Sequence, residues 1–449
     1  MKIKVMKFGG TSVASAEARK LSAQKVATAK EQGFSPVVVV SAIGRKGAPY
    51  ATDTLIGLLR EIDPAVEPDP REMDLMIACG EIFSAVVFSH TLKTLGHPAQ
   101  AFRGGQAGIR TDGVFGNARI MSIDPSSLVD SLAGGFIPVV CGFQGTFVAK
   151  QGAPGGELTT LGRGGSDTTA SALGAALHAR AVEIFTDVDG VKTADPDYVQ
   201  EAPTLRKVTY DEVAEIAHLG AQVLHPRAAE IAMKFGIPLW VKNTFSEDQG
   251  TEVVPRESFP GRRVTGVTHT GKLVYLQFDL NEAPDQDRPA IEGRLYDMLA
   301  RQGVNLFMLN LSPGGTGFAV PKSQYLLVRD LLDGLVMPVE GEERSIYLFQ
   351  LGKPSKEVET QARLLEGLGP IKRISAELTE NCTMVSLIGH EYLQQPGVFL
   401  AVLRAMQEGD VSVLQTSDSD FSLSCLIPEA DTERAVKMLH DRFGLAEVR

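Results

Sequence analysis

Apolar positions in the first half of the chain follow two alternating rhythms. One is the unbroken run: Lys2-Ile-Lys-Val-Met-Lys-Phe-Gly-Gly-Thr-Ser-Val13 opens with a short strand-like stretch, and Pro36-Val-Val-Val-Val-Ser-Ala-Ile43 is β-branched and bounded by proline and glycine. Runs of that kind suit strands buried on both faces. Ala99–Phe102, Phe136–Cys141 and Val182–Thr186 read the same way. The other rhythm is helical, with apolar residues at i, i+3 and i+4: a pattern over 14–30, another from Glu72 to Leu95, and an alanine-rich one from Thr168 to Ala179. Strands alternating with helices predict an α/β fold with a mostly parallel sheet sandwiched by helices over residues 1–245.

Around 246–263 the pattern breaks into Glu-Asp-Gln-Gly-Thr and Pro-Arg-Glu-Ser-Phe-Pro-Gly-Arg-Arg, which reads as a linker. Beyond it the order changes. Lys272–Leu280 (strand), Ala290–Arg301 (helix) and Val304–Leu311 (strand) precede a glycine turn and a helix from Ser323. Cys382–Ile388, Gly397–Gln407, Val411–Gln415, Ser422–Ile427 and Thr432–Phe443 repeat that order as strand, helix, strand, strand, helix. Both stretches match small ferredoxin-like α+β modules. They share a proline just before the helix (Pro289, Pro396), with Gly-Val-Asn-Leu or Asp-Val-Ser-Val after it, so a duplication is expected. The region 264–449 thus divides into modules at about 264–380 and 381–449. An additional strand and helix are expected within 344–374, at Ser345–Leu351 and Lys356–Leu368.

Composition narrows the function. The chain has 449 residues, 43% hydrophobic and 22% charged, the balance of a globular protein. Its net charge of −11 argues against a general nucleic-acid binder, so any anion site must be local. Cys79, Cys141, Cys382 and Cys425 lack metal-ligand spacing and read as buried free thiols. No metal-ligating cluster is expected from protein side chains. No apolar run is expected to reach the length of a membrane span, no leader pattern opens the chain, and a cytoplasmic protein is expected.

Two glycine-rich loops carry candidate chemistry. In the first, Gly9 and Gly10 follow Lys7 and precede a helix; glycines let backbone N–H groups approach an anion, and a helix N-terminus favours it. Gly-Gly-Thr-Ser is also an ordinary strand-to-helix turn. The second, Leu161-Gly-Arg-Gly-Gly-Ser-Asp167, opens the next helix and supplies Arg163, whose planar fork suits a carboxylate or phosphate. Asp167 there either caps the helix or orients a lysine. Phe185-Thr-Asp-Val-Asp-Gly-Val-Lys-Thr-Ala-Asp-Pro196 begins at a strand end, where ligands of open sheets collect, and otherwise reads as a turn. Neither a Walker loop nor a Gly-x-Gly-x-x-Gly after a plausible first strand is present.

Taken in order, Lys7-Phe-Gly-Gly-Thr-Ser12, Ser41-Ala-Ile-Gly44, Gly80-Glu81, Gly162-Arg-Gly-Gly-Ser-Asp167, Thr186-Asp-Val-Asp-Gly190, Thr193-Ala-Asp-Pro196 and Gly220-Ala-Gln-Val-Leu-His-Pro-Arg-Ala228 resemble the motif series of aspartate kinases. The C-terminal modules resemble the paired ACT domains of that family, and Val413-Leu-Gln-Thr-Ser-Asp-Ser419 is similar to the diaminopimelate-sensitive type of Bacillus-like bacteria. Two departures bear on the effector: Leu414-Gln-Thr-Ser-Asp418 replaces the usual Ile-Ser-Thr-Ser-Glu, and Ala290 follows Pro289 where many members have glycine.

The resemblance implies the amino-acid-kinase fold, ATP with Mg²⁺ as phosphoryl donor, and L-aspartate as acceptor. It makes Lys7, Arg163 and Asp167 the catalytic residues. Lys7, Phe8, Gly9, Gly10, Ser41, Thr186, Asp187, Lys192 and Asp195 would bind ATP and its phosphates. Thr52, Glu81 and Arg163 would bind the substrate; without the resemblance Glu81 reads as a solvated helix-end acid and Thr52 as a helix cap. His218 and His225 are expected to be structural, with His225-Pro226 shaping a helix start. The β-carboxylate would attack the γ-phosphorus directly, with no strong general base, because a carboxylate is ionised at pH 7. A homodimer or larger homo-oligomer is implied, inhibited by diaminopimelate, lysine or threonine, with no nucleic-acid or membrane partner. Two alternatives remain: a related kinase acting on glutamate or acetylglutamate, whose members commonly lack paired sensing modules, and a non-catalytic amino-acid sensor, which loss of Lys7, Arg163 or Asp187 would have marked.

Overall fold

The computed structural model describes residues 1–64, 66–148, 156–221, 223–259, 263–339, 345–353, 356–365, 371–390 and 397–447. It divides into two compact units, one built mainly of Met1–Gly266 and the other mainly of Val267–Leu387 and Leu393–Arg442.

The first unit begins with β1 (Ile3–Phe8), α1 (Ala16–Glu31) and β2 (Ser35–Val40), followed by α2 (Thr52–Arg60), α3 (Pro70–Thr94) and β3 (Ala99–Phe102). Next come β4 (Ile109–Thr111), β5 (Ile120–Ile123), α4 (Ser126–Ala133), β6 (Ile137–Cys141), β7 (Gln144–Phe147), β8 (Glu157–Thr160), α5 (Gly165–Ala176) and β9 (Ala181–Thr186). It finishes with β10 (Lys207–Thr209), α6 (Tyr210–His218), α7 (Pro226–Phe235), β11 (Leu239–Asn243) and β12 (Thr251–Val254). Eight strands form one sheet in the order β10-β12-β11-β9-β1-β2-β6-β3, in which β11 and β12 are the antiparallel pair. The strand within Thr251–Val254 corrects the linker expected over 246–263: its valines pair with β10 and β11 at the sheet edge.

Strand alternation explains the sandwich. Val5, Val37, Val39, Val182 and Ile184 point to one face, where Leu173 of α5 and Ala228 and Ala232 of α7 cover them. Met6, Phe8, Val38 and Val40 point to the other, under Ala23 and Val26 of α1 and Phe88 and Leu92 of α3. All four valines of Val37–Val40 are fully buried, each contributing about 1.5–3 kcal/mol. Phe8 stacks between Phe88 and Phe185 at centroid distances of 5.4 and 4.9 Å, which anchors the end of β1.

Helix ends follow local chemistry. Ser15 caps α1 by accepting from Ala18 N, and Asp69 accepts from the amides of Arg71 and Glu72 with Pro70 in the first turn of α3. Thr209 and Glu212 form a reciprocal capping box on α6. α3 corrects one expectation: its 25 residues are long and apolar enough to cross a membrane. Half of its most apolar window is buried inside the protein, and it carries Asp74 and Glu81 on its buried side. A small mixed sheet, in the order β5-β4-β7-β8, was not visible in the sequence pattern. Cys141, Cys382 and Cys425 are buried free thiols, whereas Cys79 is only half-buried.

The second unit comprises β13 (Gly266–Asp279), α8 (Arg288–Arg301), β14 (Phe307–Ser312), β15 (Gly315–Pro321), α9 (Lys322–Leu332), β16 (Val336–Val339), β17 (Ser345–Leu351) and α10 (Lys356–Leu365). It continues through β18 (Ile371–Ile388), α11 (Val398–Glu408), β19 (Gln415–Asp418), β20 (Ser422–Pro428) and α12 (Thr432–Arg442). The strand–helix insertion is present as β17 and α10; the expected helix end at 366–368 lies outside the described residues. The boundary expected near 380 falls inside β18, which pairs with β17 over Ile371–Ala376 and also with β20. The strand expected at Val411–Gln415 instead starts at Gln415, where pairing with Leu426 begins. Pro289 sits in the first turn of α8, and Pro396 lies outside the described residues.

Leu173 is fully buried between α5 and the sheet. Leu173→Ala is expected to lower the stability of the first unit by about 2–5 kcal/mol. Urea unfolding followed by the fluorescence of the single tryptophan, Trp240 of β11, measures it. Leu364→Ala, at a 74% exposed position, is expected to change stability by less than about 0.5 kcal/mol.

Candidate active site

The carboxyl ends of β1, β2, β6 and β9 lie side by side, and the chain leaves β1 and β9 in opposite directions across the sheet. Open α/β sheets bind ligands at such a reversal. A cleft of 760 Å³ opens there, lined by residues that include Lys7, Gly10, Ser41, Thr52, Glu81, Arg163 and Asp167. Residues from five separate stretches of sequence therefore converge on one place.

Lys7 projects from the end of β1 and is largely buried. Its Nζ lies 2.6 Å from Asp167 Oδ1, an ion pair whose side chains are 11% and 12% exposed. Asp167 stands in the first turn of α5, but Gly164 occupies the cap position in a left-handed conformation (φ 69°). The carboxylate instead faces Lys7 and accepts from His225 N at 3.3 Å, so the lysine-orienting reading fits and the capping one does not. Gly164 is required for space as well as conformation, because a side chain there would run into the His225 ring. His225 caps α7 through Nδ1, which accepts from Arg227 N, and Pro226 follows in the first turn.

Gly9 N donates to Phe185 O at 3.1 Å, tying the first loop to β9. A methyl group on Gly10 would strike the Gly44 carbonyl, whose own amide donates to Gly10 O at 3.0 Å. The backbone of this loop is thus close-fitting at Gly10, where only glycine permits the approach, and ordinary in its packing at Gly9. Phe8 contributes none of its side chain, which is wholly inside the core.

Glu81 is not the solvated acid its sequence position suggests. It is 2% exposed on the inner face of α3, with Oε1 accepting from Ala42 N at 2.9 Å. Oε2 is buried and has no hydrogen-bond partner among the described residues. Burial pushes the Glu81 carboxyl up to about 8, only partly opposed by the Ala42 amide. Arg163 is exposed at the same cleft and makes no ion pair or hydrogen bond with another described residue. Thr52 begins α2 just after its cap residue, Ala51, so it is a helix residue rather than the cap.

Thr186 and Asp187 stand where β9 ends, and Asp187 pairs with Arg45 at 2.5 Å from the neighbouring loop. Lys192 and Asp195 lie farther along that segment and do not line the cleft; Lys192 Nζ donates to Ala202 O at 3.2 Å. Arg45 and Lys46 at the rim escaped the sequence reading, although they directly follow the Ser41-Ala-Ile-Gly44 motif. No group of three or more metal-ligating side chains exists among the described residues, so a divalent ion fits this site only when carried largely by phosphate oxygens and water.

Because Glu81 binds its proton more tightly when folded, its contribution to stability is complete below its ordinary value of 4.5 and is lost as pH rises through about 8. The free protein is therefore expected to lose stability across that window, and Glu81→Gln to flatten the loss. Urea unfolding at a series of pH values measures both.

Residues 2–243 match the amino acid kinase family, and residues 377–441 match an ACT domain. Aspartokinase 1 of Bacillus subtilis is 37% identical over the full length of both chains. Two solved structures of aspartokinase III from E. coli share the fold: one with aspartate and ADP (TM-score 0.70, 24% identity, covering 98% of this chain and 99% of that one), and one with lysine and aspartate (TM-score 0.69, 24% identity, 99% and 100%). With a full-length relative at this identity and more than half the chain matching the kinase family, the chain belongs to the aspartokinase family.

Proposed function

We infer that this protein transfers the γ-phosphoryl group of ATP to the β-carboxylate of L-aspartate, giving 4-phospho-L-aspartate and ADP, under feedback through its ACT region. The observation that carries this reading is one cleft holding a buried carboxylate, Glu81, and an unpaired guanidinium, Arg163, beside the Lys7–glycine cradle. A carboxylate and a guanidinium lining one cleft suit the ammonium and carboxylate of an amino acid, and the cradle suits a phosphate.

Each residue then has a task. Glu81 receives the substrate ammonium, which supplies the positive partner its burial denies it. Arg163 holds a carboxylate by its planar fork, and Thr52 and Ser41 line the same pocket. Lys7, fixed by Asp167, meets the transferred phosphoryl group together with the amide of Gly10, while the Gly9 amide, committed to Phe185 O, holds the loop in place. The substrate oxygen forms its bond to phosphorus as the bond to the ADP oxygen breaks. No residue need remove a proton, so the protein acts by positioning and by neutralising charge. Thr186 and Asp187 contact the nucleotide, with Lys192 and Asp195 beyond them. Mg²⁺, when bound, would be held by the nucleotide phosphates and would supply charge neutralisation there. Residues 1 to about 254, through β12, form the catalytic domain. Two ACT modules, joined through the long strand β18, bind an end-product amino acid (diaminopimelate, lysine or threonine) in a homodimer or larger homo-oligomer.

Lys7→Ala is expected to lower kcat by about 10²–10³-fold, the cost of removing one charge-stabilising donor. Steady-state ADP release in the presence of each of the three end products reads out the effector in the same assay. A Lys7→Ala variant with wild-type kcat contradicts the assigned chemistry.

A further inference from the structure

Asp74 lies on α3 seven residues before Glu81, about two helical turns away on the same buried side. It is 0% exposed and its carboxylate accepts from donors on two other segments. Gly116 N reaches both oxygens at 3.0 Å, Thr160 N reaches Oδ2 at 2.8 Å, and Thr160 Oγ1 reaches Oδ1 at 2.6 Å. Thr160 ends β8 and leads, through Leu161, into the Gly162–Gly164 loop that carries Arg163; Gly116 itself lines the cleft. From the far side, Arg227 donates to Leu161 O at 3.2 Å and to Asn117 Oδ1 at 2.9 Å. The loop is held on both flanks, while Arg163 points free.

We propose that Asp74 is a positioning residue that sets the separation of Glu81 and Arg163, and with it the fit of the amino-acid substrate. The helix acts as the ruler: Glu81 is fixed on α3, and Asp74 ties the end of β8, which leads into the Arg163 loop, to that same helix. Both carboxylate oxygens are in use, on two backbone N–H groups and on the Thr160 hydroxyl. Leucine there offers no acceptor, strands both amides without a partner and releases one flank of the loop, whereas asparagine keeps an oxygen for the amides and an N–H₂ for the hydroxyl. The effect falls first on the amino-acid side of the cleft: Asp167 links Lys7 to the helix that follows the loop, but the glycine cradle also has anchors of its own at Phe185 and Gly44.

The proposal rests on the reading that Glu81 and Arg163 hold the substrate, and the test separates the two. Steady-state kinetics with L-aspartate and MgATP are compared for wild type, Asp74→Leu, Thr160→Val and Arg163→Gln in the full chain. Asp74→Leu is expected to raise KM for L-aspartate about tenfold, with KM for ATP changed less than about twofold, and Thr160→Val to do the same to a smaller extent. Equal rises in both KM values, or a fall in kcat alone, overturn the proposal. If Asp74→Leu does not fold, Thr160→Val decides: an unchanged KM for L-aspartate in a variant with wild-type melting temperature overturns it. Arg163→Gln with unchanged KM for L-aspartate sinks the underlying substrate reading. A raised KM in Arg163→Gln but not in the Asp74 and Thr160 variants sinks the positioning role alone.

Discussion

The ion pair between Lys7 and Asp167 is the interaction on which the catalytic unit turns. It joins the end of the central strand to the first turn of the helix behind it, and both charges are nearly buried. Removing one partner from such a pair leaves an uncompensated charge, at a cost of about 3–5 kcal/mol. The pair therefore fixes Lys7 where a phosphoryl group passes and fixes the helix start that follows Arg163. His225 and Gly164 complete the joint, one by donating its amide to Asp167 and the other by leaving room for the ring.

A chain with a net charge of −11 has to concentrate positive charge to handle ATP and a dicarboxylic amino acid. Lys7, Arg45, Lys46 and Arg163 gather around one cleft, with backbone amides and a helix N-terminus adding partial charge. Among them stands Glu81, a buried acid whose Oε2 has no hydrogen-bond partner among the described residues. An orphaned buried group costs stability unless a ligand satisfies it, and a substrate ammonium does so. Binding specificity and local instability are then two consequences of the same placement.

Much of this was legible in the sequence because the motifs are local. Gly9 and Gly10 after a strand, Arg163 inside a glycine loop and the β-branched run at Val37–Val40 carry their meaning within a few residues. What stayed hidden depends on contacts between distant segments. Asp74 reads as one more acid on a helix until Thr160, 86 residues on, comes to meet it. Glu81 and Thr52 looked like surface and cap residues because burial and helix phase are tertiary outcomes. The strand at Thr251–Val254 was hidden by flanking glycine and proline, and the strand near 411–415 slipped because pairing with β20, rather than apolar content, sets its start. The module boundary inside β18 was invisible for a similar reason: two sheet partners divide one continuous strand.

The central claim is that this cleft makes an acyl phosphate on the side-chain carboxylate of aspartate. The most direct measurement is to run the full-length protein with MgATP and L-aspartate in hydroxylamine, which captures an acyl phosphate as a hydroxamate, and to identify the product by mass and NMR. The account predicts the β-hydroxamate of aspartate, formed in step with ADP and absent when L-glutamate is the acceptor. A glutamyl hydroxamate, or ADP released with no hydroxamate from aspartate, would contradict it.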